Sequence, residues 1–213
     1  MTPLVIAHRG ACWDAPENTL EAFELAVEQG ADYVEFDVRD RGGELVICHD
    51  PEPPNEAATL EEALDLLCGR VGLVVEIKEA NLAERMLQAL QEHEVGDSEL
   101  IVASFLAEEL DTIRRLRPEV RTEFHVGGRP DPSRGTRFWG VGFEEPARPE
   151  PIQAAQTLGL ATLVFTVNEP ERMRDLAELG VTGIFSDRPA LLRETLASLP
   201  GPERARSRPE KSR

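Results

Sequence analysis

Several acidic side chains stand directly after short apolar runs of the sequence. Glu35 and Asp37 are two residues apart, so both would lie on one face of a strand. Glu76 and Lys78 repeat this spacing after a later apolar run. Carboxylates held together repel one another unless a proton or a cation joins them, and hard oxygen ligands suit Mg²⁺ or Ca²⁺. Glu35, Asp37 and Glu76 are therefore candidate ligands of a divalent cation.

Two histidines and an arginine accompany these acids. His8-Arg9-Gly10 follows the first apolar run, and His49-Asp50-Pro51 closes a short extended run. Imidazole transfers protons near neutral pH, so two histidines allow separate acid and base roles. The guanidinium of Arg9 and the ammonium of Lys78 suit phosphate oxygens. This combination indicates chemistry on a phosphate group.

Each motif taken alone also fits a structural role. The paired acids are equally typical of a solvated surface, His49 of a turn, and Glu76 with Lys78 of a strand-end ion pair. Their joint occurrence near the first few strand ends favours the catalytic interpretation. The sequence has no zinc-ligand pattern, nucleophile elbow or P-loop that would compete with it.

Short apolar runs alternate with amphipathic segments along the chain. The runs, rich in β-branched and aromatic residues, predict eight strands at 4–7, 33–38, 73–77, 100–103, 122–126, 139–143, 162–167 and 183–185. The amphipathic segments predict helices at 20–29, 60–67, 82–92, 107–116, 152–158, 171–179 and 190–199. Strict alternation implies parallel strands, and eight units predict a compact TIM-type (β/α)8 barrel. A Rossmann-like open sheet is the alternative, but no GxGxxG follows the first strand.

Local signals refine this fold. An extra extended run at 44–48 is interpreted as an excursion in the second βα-loop. The stretch 127–138 is rich in Gly, Pro and Arg, so its helix should be short or missing. Asn168-Glu169-Pro170 and Asp187-Arg188-Pro189 resemble a cap followed by a helix-starting proline.

Length and charge bound the function. The chain of 213 residues predicts one barrel domain over 1–200 and a disordered basic tail at 201–213. Its net charge of −17 argues against non-specific binding to nucleic acid or anionic membranes. No apolar run reaches membrane-spanning length and no signal peptide is visible, which predicts a cytoplasmic protein without stable membrane insertion. Three scattered cysteines (Cys12, Cys48 and Cys68) fit a reducing compartment.

The motifs resemble those of glycerophosphodiester phosphodiesterases, in the same order along the chain. The residues that carry the resemblance are His8-Arg9-Gly10, Pro16-Glu17-Asn18-Thr19, Glu35-x-Asp37, His49-Asp50, Glu76-Ile77-Lys78, Thr166-Val167-Asn168 and Gly183 to Pro189. The resemblance implies a TIM-type barrel, one divalent cation (Mg²⁺ or Ca²⁺, with Mn²⁺ as a third candidate), and hydrolysis of small glycerophosphodiesters to sn-glycerol 3-phosphate and an alcohol.

The same resemblance implies roles for individual residues. Carried over by motif, Glu35, Asp37 and Glu76 would bind the metal. His8 and His49 would act as acid and base, and Arg9 and Lys78 would bind the phosphate. Asn18 would approach the substrate. Phe165 stands where the family usually has Trp; it would still supply an apolar wall to the substrate pocket, and a role in the core is the alternative.

One departure from the family pattern affects the expected substrate. Only residues 51–58 separate the His-Asp motif from the helix that follows Thr59, whereas family members usually carry a longer insertion there. The site should therefore be more open, which leaves a lysophospholipase D-like activity on lysolipids as an alternative. A non-catalytic phosphate-binding barrel is the third interpretation, although none of the proposed polar residues is missing.

Overall fold

The computed structural model describes residues 2–52, 54–127 and 131–199, so the predicted tail at 201–213 lies outside the described residues. The strands are β1 (Leu4–Ala7), β2 (Tyr33–Arg41), β3 (Glu44–Ile47), β4 (Gly72–Ile77), β5 (Leu100–Ser104), β6 (Arg121–Val126), β7 (Gly140–Glu144), β8 (Ala161–Phe165) and β9 (Gly183–Ser186). The helices are α1 (Leu20–Glu28), α2 (Leu60–Leu67), α3 (Ala83–Glu92), α4 (Ala107–Leu116), α5 (Pro149–Thr157), α6 (Pro170–Leu179) and α7 (Pro189–Ala197).

The parallel strands close into a ring. Going around it, the order is β1, β2, β4, β5, β6, β7, β8 and β9, and β9 pairs with β1. This is the TIM-type (β/α)8 barrel that the alternating pattern predicts. β3 stands outside the ring and pairs antiparallel with the extended end of β2, which confirms the excursion in the second βα-loop.

Two apolar layers hold the ring in place. Side chains on the outer face of the strands pack under the helices, as Phe36 of β2 does against Phe23 of α1, with 5.5 Å between ring centroids. A smaller group fills the barrel interior and consists of Ile6, Val74, Ile101, Ala103, Leu163 and Phe185. Because side chains alternate along a strand, the outward packing of Phe36 directs its neighbours Glu35 and Asp37 inward.

Hydrogen bonds at the helix termini follow the sequence signals in part. The Thr19 hydroxyl accepts a hydrogen bond at the start of α1, and Thr59 with Glu62 forms a capping box at the start of α2. α3 has no side-chain cap of its own. Instead, the buried carboxylate of Glu109, from α4, accepts hydrogen bonds from three successive backbone N–H groups at Asn81, Leu82 and Ala83.

The later helix starts correct one prediction. α6 and α7 begin at Pro170 and Pro189 as expected, but neither has a side-chain cap. Asn168 and Asp187 are not caps, because their side chains bond to each other, with Asn168 Nδ2 2.6 Å from Asp187 Oδ2. Both are consequently held at the mouth of the barrel.

Two further predictions concern local structure. In the described part of 127–138, the only helical piece is the short 3₁₀ turn Pro132–Gly135, as expected for a weak unit. Within the described ranges, the helices are all too short, or too polar, to cross a bilayer.

Candidate active site

The three predicted acidic residues converge at the C-terminal mouth of the barrel. Parallel register places Asp37 of β2 beside Glu76 of β4, and Glu35 lies two residues earlier on the same inward face of β2. One carboxylate oxygen from each residue lies within 4.8 Å of the other two. All three side chains are buried. The geometry that the sequence predicts for these acids is therefore present.

Two cationic side chains border this cluster. Lys78 Nζ lies 2.7 Å from Glu76 Oε1 and 3.3 Å from Asp37 Oδ1. Arg9 Nε lies 3.1 Å from Asp37 Oδ2, and the Arg9 backbone N–H donates to Glu35 Oε2 at 2.7 Å. Arg9 has a positive φ of 53°, so its backbone and its side chain can both face the carboxylates.

The charges in the cluster are unevenly balanced. Burial, together with the charges of Asp37 and Glu76, raises the pKa of the Glu35 carboxyl well above its ordinary value. Burial also acts to raise the pKa of Asp37, but Lys78 and Arg9 outweigh it and the pKa is lowered. Asp37 Oδ1 is buried, and its neighbour is the Lys78 ammonium at 3.3 Å. A hard divalent cation fits these donors, because it would relieve the repulsion that Arg9 and Lys78 leave at Glu35.

Asn18 lies against Asp37. Its Nδ2 donates to Asp37 Oδ2 at 2.8 Å, and its Oδ1 accepts from the Asp37 backbone N–H at 3.3 Å. Asn18 also borders a cavity of about 520 Å³ that His49 and Asp50 help to line. Its place in a substrate pocket stays a prediction, and its contacts orient Asp37.

His8 belongs to a hydrogen-bonded group at the other side of the mouth. Its Nδ1 lies 2.8 Å from Asp187 Oδ1, which also accepts from the Cys12 thiol at 3.1 Å. Asn168 donates to the second oxygen of Asp187 and accepts from the Ser186 hydroxyl and the Asp187 backbone N–H. With Nδ1 bound to Asp187, the imidazole of His8 is fixed in orientation.

His49 lies at the mouth just after the end of β3. The backbone N–H of Cys48 donates to the Asp37 carbonyl at 3.0 Å, which brings the residue after Cys48 to the level of the acidic cluster. The His49 carbonyl accepts hydrogen bonds from the Arg39 guanidinium at 2.7 and 2.9 Å. The imidazole itself is 41 % exposed, with Nδ1 3.1 Å from Asp50 Oδ1. His49 is thus anchored through its backbone while its ring faces solvent.

Phe165 ends β8 and packs at the mouth with other aromatic rings. Its centroid lies 4.5 Å from the ring of His125 and 6.4 Å from that of Phe105. Phe105 is 43 % exposed, so this group forms an apolar wall with one open side. Whether Phe165 meets substrate stays a prediction.

Comparison with known proteins places this geometry in a family. The family model for the glycerophosphoryl diester phosphodiesterase family matches residues 8–84 and 69–191, which include every residue of the site described above. The chain belongs to the glycerophosphoryl diester phosphodiesterase family. This confirms the resemblance seen in the sequence motifs.

Individual members of the phosphodiesterase family are similar over nearly their whole length. A glycerophosphodiester phosphodiesterase of Caldanaerobacter subterraneus subsp. tengcongensis is 26 % identical, with 93 % of this chain and 98 % of the relative covered. One from Bacillus subtilis is 25 % identical over 88 % of this chain and 84 % of the relative. The structure of an Oleispira antarctica phosphodiesterase in complex with the product sn-glycerol-3-phosphate aligns with a TM-score of 0.84 at 26 % identity, covering 92 % of this chain and 98 % of that one.

Sequence reasoning did not assign functions to several residues of this phosphodiesterase site. Asp187 and Asn168 each precede a proline by two residues, and this local pattern predicts helix caps and not site residues. Glu123 and His125 of β6 were not singled out, although both face the barrel interior and are buried. Two polar residues at a spacing of two, within the apolar strand 122–126, are the signal that would have identified them.

Asp187 should make the stability of this phosphodiesterase depend on acid pH. Burial acts to raise its pKa, but hydrogen bonds from His8, Cys12 and Asn168 outweigh that effect and lower the pKa to about 2. An unfolded Asp titrates near about 3.9. The stabilisation is therefore complete above the unfolded pKa and is lost as pH falls towards the folded one. Asp187→Asn should reduce the free energy of unfolding at pH 7 and should flatten its decline between about pH 4 and 2.

Urea unfolding at a series of pH values measures this effect. Asp175→Asn makes the same chemical change at an exposed position of α6 and should leave the pH dependence unaltered. An unchanged acid slope in Asp187→Asn would contradict the described contacts.

Proposed function

We propose that this chain hydrolyses glycerophosphodiesters to sn-glycerol 3-phosphate and an alcohol, with a divalent cation held by Glu35, Asp37 and Glu76. The observation that carries the proposal is the convergence of these three buried carboxylates beside Arg9 and Lys78. Family membership supports the reaction class, and the relatives that match over most of the chain bear the same activity in their names.

The acidic cluster would hold the cation through carboxylate oxygens. Mg²⁺, Ca²⁺ and Mn²⁺ all accept such donors. When bound, a divalent cation supplies charge stabilisation for the phosphate oxygens during P–O cleavage. Asn18 keeps Asp37 in place through two hydrogen bonds, so one of the proposed ligands is fixed before any cation arrives.

Arg9 and Lys78 would supply fixed positive charge to the phosphate. Their side chains are only 17 % and 11 % exposed, and carboxylates on two strands hold them at the rim. Preorganised charge of this kind stabilises developing negative charge without the cost of reorienting solvent. The net charge of −17 is therefore compatible with an anionic substrate, because the compensating cations are local.

His8 and His49 would exchange the protons of the reaction. One imidazole would remove the proton from the attacking oxygen, and the other would protonate the alkoxide that leaves phosphorus. Asp187 acts through His8: its bond to Nδ1 leaves Nε2 as the nitrogen available for proton transfer. Asp187 is thus a positioning residue for the proposed reaction.

Loss of either imidazole should slow turnover. His8→Ala and His49→Ala are each expected to lower kcat for glycerophosphocholine by about 10²–10⁴-fold, which is the usual contribution of acid–base catalysis. His93→Ala is the matched control, because His93 caps α3 and pairs with Asp65 away from the mouth. Steady-state kinetics with circular dichroism as a folding check measures the effect. Parent-like turnover in either variant would remove that histidine from the mechanism.

Removal of divalent cations should abolish activity. Treatment with EDTA is expected to eliminate hydrolysis of glycerophosphocholine, and Mg²⁺, Ca²⁺ or Mn²⁺ should restore it, because the three carboxylates otherwise repel an anionic substrate. The Glu76→Gln variant should require a higher cation concentration for half-maximal activity. Full turnover after exhaustive chelation would refute the role proposed for the acidic cluster.

A second candidate activity is hydrolysis of lysolipids. It is favoured by two exposed aromatic residues in the loops after β1 and β5, Trp13 at 61 % and Phe105 at 43 % exposure. An acyl chain would cover such rings. We expect kcat/KM to be higher for glycerophosphocholine than for lysophosphatidylcholine in a direct comparison. The reverse order, with loss of lysolipid activity in Phe105→Ala, would favour the second candidate.

A further inference from the structure

Glu123 and His125 form a buried polar pair inside the barrel. Both lie on the inward face of β6, and their exposures are 0 % and 4 %. Burying ionisable groups costs several kcal/mol unless partners compensate. No side-chain oxygen or nitrogen of the pair makes an aligned hydrogen bond within the described residues. The pair therefore calls for a functional explanation.

The contacts of the pair lead to the acidic cluster. His125 Nε2 lies 3.3 Å from Glu123 Oε1, and His125 Nδ1 lies 3.8 Å from Glu76 Oε2. The imidazole thus stands between two carboxylates. The other oxygen of Glu76, Oε1, faces Lys78 at 2.7 Å. Lys78 therefore contacts one oxygen of Glu76 and His125 the other, and these two contacts set the orientation of the carboxylate.

Packing fixes the imidazole in this position. Phe105 meets it edge-on at 4.8 Å between centroids, and Phe165 lies 4.5 Å away on another side. Gly142 of β7 provides the space that the pair occupies: a Cβ there would lie 2.3 Å from Glu123 Oε1 and 2.6 Å from His125 Cδ2. With neighbours on several sides, the ring has little freedom to rotate away from Glu76.

We propose that Glu123 and His125 are positioning residues that hold Glu76 in the orientation needed to bind the divalent cation. The inference rests on the proposed function, in which Glu76 is a ligand of that cation. Outer partners that orient metal ligands typically contribute about 10–100-fold to metal affinity. The pair is almost fully buried and adjoins Glu76, so its effect is expected at the cation site.

Isothermal titration of Mn²⁺ into the cation-free protein tests the proposal. Glu123→Gln keeps the shape of the side chain but removes its charge, and His125→Leu removes both ring nitrogens. Each is expected to weaken Mn²⁺ binding by about 10–100-fold. His125→Asn, whose amide can replace the Nδ1 edge of the ring, should recover part of the lost affinity. Thermal unfolding of each variant reports folding separately.

Glu109→Gln is the matched control. Glu109 is also a buried carboxylate, but it holds the start of α3 outside the ring. The Glu109→Gln variant should lower the unfolding temperature and leave Mn²⁺ affinity unchanged. Glu123→Gln should weaken Mn²⁺ binding and leave the unfolding temperature close to that of the parent. Parent-like Mn²⁺ affinity in folded Glu123→Gln would overturn the positioning role, even if His125→Leu failed to fold.

Two further results would distinguish a wrong cation site from a wrong positioning role. If the parent binds no Mn²⁺, or if Glu76→Gln binds it as tightly as the parent does, the proposed cation site itself is wrong and the positioning role falls with it. If Glu76→Gln weakens binding but neither variant of the pair does, the cation site stands and the pair is structural.

Discussion

Mutual repulsion among Glu35, Asp37 and Glu76 is the constraint on which the mouth of the barrel depends. Two unit charges about 4 Å apart interact by about 4 kcal/mol at an effective dielectric of about 20. The ring nevertheless holds these carboxylate oxygens within 4.8 Å of one another. Strand register cannot relax, because shifting β2 against β4 by one residue would turn Phe36 inward and break its packing against Phe23. Burial of each such phenyl side chain contributes about 1.5–3 kcal/mol. Apolar packing outside the ring of strands therefore offsets the repulsion between the carboxylates inside it.

The two sides of the barrel mouth differ in charge and in the groups that they hold. β1, β2 and β4 concentrate negative charge and hold it with Arg9 and Lys78, which makes a place for positive charge. β8 and β9 instead supply neutral donors and the carboxylate of Asp187, which fix the ring of His8. The aromatic residues Phe105 and Phe165 pack against His125 of β6, which adjoins the acidic side at Glu76. Residues from both ends of the chain thus meet at one site.

The sequence predicted the ring and the electrostatic side of the mouth well. Period-two spacing at Glu35 and Asp37 is local, and the outward packing of Phe36 follows from hydrophobicity alone. The prediction of Asp187 as a helix cap was wrong. Capping is also a local signal, whereas the actual partner of Asp187, the imidazole of His8, lies far away in the sequence. Glu123 and His125 were missed for a related reason. Their meaning depends on Gly142 of β7 and Glu76 of β4, which the closed ring brings against β6 from opposite sides.

The imidazoles of His8 and His49 follow strands that are held unequally, because His49 follows the antiparallel strand β3 outside the ring. His8 follows a strand that pairs on both sides within the ring, whereas His49 follows β3, which pairs with the end of β2 on one edge and, among the described residues, only with the short segment 58–59 on the other. Segments outside the closed ring open at lower free energy than the core does. Peeling β3 from β2 would carry away His49, the second proton-transfer group of the proposed reaction, while the ring stays folded. On that proposal, warming or mild denaturant would abolish turnover before it unfolds the barrel.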